Sequence, residues 1–219
     1  SSQEMKTKLS FLPYIILFYC FFSGITVFSQ LIINEYSTSN RNTIADSYGK
    51  YEDWVEIYNS SASAVDISNW YLSDKSSNLT KWLVPNGSVP ANGYSLIYFS
   101  KRNEVTPAGE IHASFGLSQT ENDWIILAND LGNVVDSFKI VHKTKKDHSV
   151  GRSTDGAVDF KLFTTPTPGS SNAGAQDFYT PKPIFDLTPG FYVGAQTLSI
   201  TCADPSAQIR YTTNGFEPN

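Results

Sequence analysis

The sequence predicts an all-β protein, a sandwich or barrel of many short strands, and three observations carry that reading. The run Asp53-Trp-Val-Glu-Ile-Tyr-Asn59 alternates, with Val55 and Ile57 on one face of a strand and Trp54, Glu56 and Tyr58 on the other. Small residues from Asn59 to Ala64 separate it from a second β-rich run, Val65 to Asp74, which sets Trp70 and Leu72 on one face. Turn signals then recur at short intervals: Pro85-Asn-Gly87, Ala91-Asn-Gly93, Asn129-Asp-Leu-Gly132 and Asp155-Gly156. No run keeps a helical period, and many short strands at this spacing mean a sandwich or barrel.

In chain order, residues 1–29 read as a secretory signal peptide. Ser1 to Glu4 precede Met5, Lys6 and Lys8 form a positive start, and Leu9 to Phe28 is apolar and aromatic. Ser29 is the small residue of the cleavage site, which leaves Gln30 as the new N-terminus. The competing reading is a membrane anchor, because the apolar run is long enough to span a bilayer. The strand-like Leu31-Ile-Ile-Asn-Glu-Tyr36 follows almost at once, and that favours cleavage and no stable membrane insertion afterwards. A lipoprotein start is disfavoured, since bulky Leu17-Phe-Tyr19 precedes Cys20.

Strands are expected at 31–37, 52–59, 64–67, 70–74, 81–84, 94–100, 111–116, 123–129 and 133–140, with a short pair near 149–152 and 159–163. These make one domain over 30–172. Residues 165–180 read as a linker, because Thr165 to Ala175 is rich in Pro, Gly and Ser and should be extended and weakly structured. A second unit over 181–219 offers strand-like segments at 183–185, 190–192, 197–201 and 209–213, and Asn214-Gly215 is a hairpin-turn signal.

Charge and cysteine content narrow the function. The formal net charge of −5 becomes −6 once Glu4, Lys6 and Lys8 are set apart with the leader. That argues against a general nucleic-acid binder. Only Cys202 remains after residue 29, so no internal disulfide can form and the domains must rely on burial.

Several blocks in one order resemble the lamin tail domain, an immunoglobulin-like module. They are Asn34-Glu-Tyr36, Asp53 to Asn59, Ile67 to Asp74, Trp82-Leu-Val-Pro85 with Ser88 to Tyr94, and Phe115 to Ser118. Trp124-Ile-Ile-Leu127, Asn129 to Asp136, Ser149-Val-Gly-Arg152 and Thr165-Pro-Thr-Pro-Gly169 continue the match. The chain departs at Asn69, where the pattern often has Gly before Trp. The run Ile209 to Pro218 resembles the chitobiase/β-hexosaminidase C-terminal domain, a small fibronectin-like module, here with Asn214 and Phe216 where that pattern has Asp and Ser. The fold expected is therefore an immunoglobulin-like β-sandwich plus a partial, truncated second β module of a longer polypeptide. The resemblance makes Trp70 and Trp82 core residues, beside Leu72, Val55 and Ile57.

The search for chemistry finds no zinc spacing, nucleophile elbow, phosphate loop or dinucleotide fingerprint. His112 lies in a strand-like run and reads as a half-exposed sheet residue. Asp46, Glu52 and Asp53 lack the spacing of a calcium loop and read as solvated loop charges. The expected catalytic, cofactor and metal sites are thus none. Two features remain as candidate surface contacts. One is the cluster His142-Lys-Thr-Lys-Lys-Asp-His148, which reads either as a solvated loop or, through Lys143, Lys145 and Lys146, as a contact for phosphate, an anionic glycan or a neighbouring domain. The other is the pair Trp54 and Trp124, each following an acidic residue at a strand start and suited to a ligand platform.

The arrangement of leader, lamin-tail-like domain and chitobiase-C-terminal-like domain resembles that found ahead of spore-coat-protein-H-like (CotH) kinase domains in exported bacterial proteins. The resemblance implies non-catalytic binding or spacer modules of a larger secreted or cell-surface protein. Their partners would be an extracellular or cell-surface protein or glycan and the downstream domains of the same polypeptide, with no nucleic acid. The alternatives are a targeting module of a secreted nuclease, phosphoesterase or glycosidase, and a structural adhesin.

Overall fold

The computed structural model describes residues 30–120 and 122–216. The expected leader, with Ser29, lies outside the described residues. Every regular element among them is a strand. None is a helix long and apolar enough to cross a membrane.

β1 (Leu31–Ser37) pairs antiparallel with β2 (Trp54–Asn59). After β2 come the two-residue β3 (Val65–Asp66), β4 (Tyr71–Ser73), β5 (Trp82–Leu83), β6 (Ser88–Val89) and β7 (Tyr94–Tyr98). Next are β8 (Glu104–Val105), β9 (Ile111–His112), β10 (Trp124–Ala128), β11 (Val134–Lys139), β12 (Ser149–Arg152) and β13 (Phe160–Phe163). One sheet runs in the order β13-β12-β1-β2-β7-β9-β8 and a second in the order β11-β10-β4-β5. β3 and β6 form a short ribbon. The β7–β9 pairing is parallel. This is the expected sandwich, with one hydrophobic core that includes Leu31, Ile33, Tyr36, Val55, Ile57, Leu72, Ile97, Ile125 and Leu127. Val55, Ile57, Leu72 and Trp82 are buried there as expected, and each fully buried aliphatic side chain is worth about 1.5–3 kcal/mol.

Trp70 is only half-buried and packs at the margin of this core, which corrects its expected full burial. It lies just before β4, in the turn where its N–H donates to the Ile67 carbonyl and its carbonyl accepts the Val84 N–H. Asn69 before it has φ 66°, a left-handed conformation that Gly or Asn adopts most readily, so the departure at this position keeps the turn.

Trp54 differs more. It was expected to stay partly open, yet it is fully buried although it lies outside the hydrophobic core cluster. The alternation of β2 puts it on the opposite face of the seven-stranded sheet from Val55. Register sets Ser37, Trp54, Tyr98 and His112 side by side there. The central strand is covered on both faces, whereas a sequence pattern that alternates indole and carboxylate suggested one wet face. His112 is likewise fully buried, stacked on Tyr98 with ring centroids 5.3 Å apart and bonded through Nδ1 to Ser100 Oγ at 2.9 Å.

On that second face lies a buried polar cluster. The register of β1 against β2 slips between Ile33 and Glu35, which brings Asn34 and Glu35 beside Glu56. Asn34 Nδ2 donates to Glu56 Oε1 at 2.9 Å and to Asp155 Oδ1 at 2.9 Å. Residues 165–172 cover the cluster. Thr167 donates N–H and hydroxyl to Glu35, Gly169 N–H donates to Glu56 at 2.6 Å, and buried Asn172 donates to the Arg152 carbonyl at 2.6 Å. Beyond them Gln176 exchanges two backbone bonds with Leu162. The expected weakly structured linker is therefore corrected: its Pro-, Gly- and Ser-rich residues form a strap, because their backbone N–H groups are donors for carboxylates that the sheet buries. Gly151 is required beneath, since a Cβ there would stand 2.9 Å from the Asn34 carbonyl and 3.0 Å from Glu35 Cγ.

Past the strap, regular structure thins. β14 (Ile184–Phe185) pairs with β15 (Ile200–Thr201), two residues each, while 190–192 and 209–213 form no strands. Phe191, Val193, Tyr211 and Phe216 are exposed. A two-stranded ribbon has no second layer on which to bury such side chains.

Candidate functional site

The surface residues singled out in the sequence are brought together at one end of the sandwich, with the exception of Trp54. Trp124 opens β10 and stands directly across from Lys139, the last residue of β11. Its ring is half-buried, with Lys139 Nζ 5.9 Å from the centroid. Ile140 N–H donates to the Asp123 carbonyl at 2.8 Å and closes this end of the strand pair, and the loop 141–148 follows at once.

That loop has a defined shape. Thr144 is buried and donates its N–H to Gln119 Oε1 at 2.8 Å. Asp147 N–H donates to the Ser39 carbonyl at 2.9 Å, and Asp147 Oδ1 accepts the N–H groups of Arg41 at 2.6 Å and Asn42 at 2.7 Å. Burial opposes ionisation of this carboxyl, but the Arg41 and Asn42 bonds outweigh it and hold the group below the usual carboxylate range. Two aromatic residues from beyond the strap complete the frame. The His142 ring stacks on Phe178 with centroids 3.7 Å apart. The Tyr179 hydroxyl meets His148 Nδ1 at 2.7 Å and accepts the Lys145 N–H at 3.0 Å. Burial pushes both imidazoles below their ordinary range, so both rings are neutral at neutral pH.

The charges on this frame are unevenly balanced. Lys143, Lys145 and Lys146 are exposed, as is Lys139. Lys146 approaches Asp147 at 4.0 Å, while Lys139, Lys143 and Lys145 have no acidic partner within 4.0 Å among the described residues. Half-buried cations elsewhere are committed to acids: Lys81 to Asp74 and Arg102 to Asp46, each at 2.6 Å, and Lys161 to Asp177 at 2.7 Å. The loop thus offers ammonium groups of which Lys143 has no acidic partner among the described residues, Lys145 lies over the Tyr179 ring at 5.0 Å, and Lys139 lies over the half-buried indole of Trp124.

A polar cavity of about 350 Å³ adjoins it, lined by Thr38, Arg41, Asp53 and Gln119 among others. Burial raises the Asp53 carboxyl to about 6, against the pull of Arg41. Asp46, read from sequence as a solvated charge, is instead buried, its carboxylate capping the N–H groups of Tyr48 and Lys50. No group of three or more His, Cys, Asp or Glu among the described residues is placed to hold a metal.

Sequence reasoning missed Lys139, Gln119, Phe178 and Tyr179. The aromatic pair at 178–179, set in an otherwise small-residue segment, was the available signal.

Residues 26–142 match the family model described as Lamin Tail Domain, and residues 187–219 match that of the Chitobiase/beta-hexosaminidase C-terminal domain. No curated protein matches the chain.

Proposed function

We propose that this chain, which belongs to the lamin tail domain family, is a non-catalytic binding and spacer segment of an exported bacterial protein. The observation that carries the reading is the tandem of two module types, an immunoglobulin-like sandwich and a chitobiase-C-terminal-like unit, in one all-β chain. Both are modules that fit binding or spacing rather than catalysis. Support within the sandwich comes from its polar groups. Glu35, Glu56 and Asp155 are occupied in holding the strap, and His112 is enclosed between strands.

The basic start and apolar run before residue 30 support export, with cleavage between Ser29 and Gln30. The order of modules supports a place ahead of a CotH-kinase-like domain. In that setting the sandwich positions the protein at a surface through the basic loop.

Mass spectrometry of protein recovered from the medium tests export: a new N-terminus at Gln30 supports it, and an intact Met5 form extracted only from membranes refutes it. Reading the codons that follow residue 219 tests the kinase association, which a different downstream domain would overturn.

A further inference from the structure

We infer that the basic loop 141–148, with Lys139 and Trp124, is a docking surface for an acidic polysaccharide, bound through its carboxylates and the apolar face of a sugar ring. The inference deepens the reading of the chain as an exported binding module and rests on it for the setting, while its chemistry rests on the geometry alone.

Four lysines, Lys139, Lys143, Lys145 and Lys146, stand exposed within eight residues of a chain whose net charge is −5. Such a concentration of positive charge in an acidic protein creates a local field opposite to the average one. The loop's own acid offsets it only in part, because Asp147 approaches Lys146 alone, at 4.0 Å, while its Oδ1 accepts the Arg41 and Asn42 N–H groups. The lysine positions are also preset. The backbone that carries them is fixed by the Thr144–Gln119, Lys145–Tyr179, His142–Phe178 and His148–Tyr179 contacts. Little backbone entropy remains to be lost on binding, which favours association.

The aromatic component selects the class of polyanion. Trp124 presents a half-buried indole with Lys139 Nζ over its ring, 5.9 Å from the centroid. An indole beside an ammonium matches a ring that is apolar on one face and carries a carboxylate at its edge, as a uronic acid does. Single-stranded nucleic acid needs several aromatics along a basic track, and here the rings nearest the lysines are already engaged: His142 is stacked on Phe178, and Tyr179 is bonded to His148 with Lys145 Nζ over its ring.

The test expresses the full chain in a secreting bacterial host and assays the recovered protein by affinity electrophoresis. The probes are polygalacturonate, neutral dextran and duplex DNA. Retardation by polygalacturonate, none by dextran and clearly less by DNA is expected. Raising salt from about 50 to about 200 mM should weaken it several-fold. The triple variant Lys143→Glu, Lys145→Glu, Lys146→Glu changes only exposed side chains and should lower affinity at least about tenfold. Trp124→Leu should weaken the polygalacturonate response and leave any DNA response unchanged. No retardation by polygalacturonate, equal retardation of the triple variant, or DNA bound as tightly as polygalacturonate would each overturn the assignment. Protein that reaches the medium but ignores polygalacturonate refutes only this ligand class. Protein retained in the cells, yet retarded by polygalacturonate, refutes export and leaves the site standing.

Discussion

Glu56 makes the stability of the sandwich depend on pH in an unusual direction. Burial, against the opposing bonds from Asn34 and Gly169, raises its carboxyl to about 8, from 4.5 in an open chain. Between those values the folded protein holds a proton that the unfolded chain has released. Stability therefore falls as pH rises through this window. From pH 6.5 to pH 8 a single group with these two ionisation points loses about 1.5–2 kcal/mol. Other groups do not reverse the trend in this range. Burial raises Glu35 as well, in the same sense, and Asp53 to about 6, also in the same sense, though most of its proton is released below pH 6.5. Burial opposes ionisation of Asp155, but its bonds from Asn172, Ser171, Tyr94 and Asn34 outweigh it and hold the carboxyl low, so it changes stability only in acid. The lowered imidazoles of His142 and His148 act at and below about pH 6.5. Urea unfolding followed by tryptophan fluorescence at pH 6.5, 7.2 and 8 measures the slope. Glu56→Gln removes the titration. Its amide oxygen can keep the Gly169 bond, and Asn34 Oδ1, buried without a partner, can rotate to receive the new N–H. The variant should show less than half the wild-type slope. A wild-type midpoint that stays level or rises from pH 6.5 to 8, or a variant with an unchanged slope, would refute the reasoning.

Trp54→Ala should cost roughly 3–5 kcal/mol, because the ring is fully enclosed, and Trp70→Ala should cost less than half as much; equal losses in thermal or urea unfolding would contradict the burial difference. Gly151→Ala should destabilise by about 1–3 kcal/mol, since the new Cβ meets the Asn34 backbone carbonyl and not a yielding side chain, and a neutral melting temperature would show that β1 can shift. Limited proteolysis should cut within 181–216, where large apolar residues are exposed and strands are two residues long, and should spare 165–179. Early cleavage between Thr165 and Ala175 would mean that the strap opens readily.

The sandwich was legible because its evidence is local. Alternation in 53–59, turn residues at 85–87 and 129–132, and the block order all depend on neighbours in sequence, and the strands formed where those signals stood. The short β6 and β8 escaped notice because two residues cannot establish a period. The burial of Trp54 and the state of residues 165–172 escaped for a different reason. Both depend on partners distant in sequence: Tyr98 and His112 beside Trp54 in the sheet, and, across more than a hundred positions, Glu35 with Thr167 and Glu56 with Gly169. A segment of Thr, Pro, Gly and Ser has the composition of a flexible linker because it lacks side chains that pack. What it contributes here is backbone N–H groups, which composition does not distinguish. The clue lay on the receiving side. Asn34, Glu35 and Glu56 sit in runs otherwise apolar enough to be central strands, and a carboxylate in such a place must find donors. The same logic reaches the basic loop. Lys143, Lys145 and Lys146 were visible as charge, but whether they form an ordered surface or a loose solvated one is decided by Phe178 and Tyr179, some thirty residues later. The strap delivers those two rings. Anything that releases residues 167–172 from Glu35 and Glu56 should therefore also loosen the loop, so Thr167→Ala is expected to speed amide exchange at Lys145, whose N–H bonds Tyr179, and not only beneath the strap. Unchanged exchange at Lys145 in a folded Thr167→Ala variant would show that the aromatic staple holds by itself.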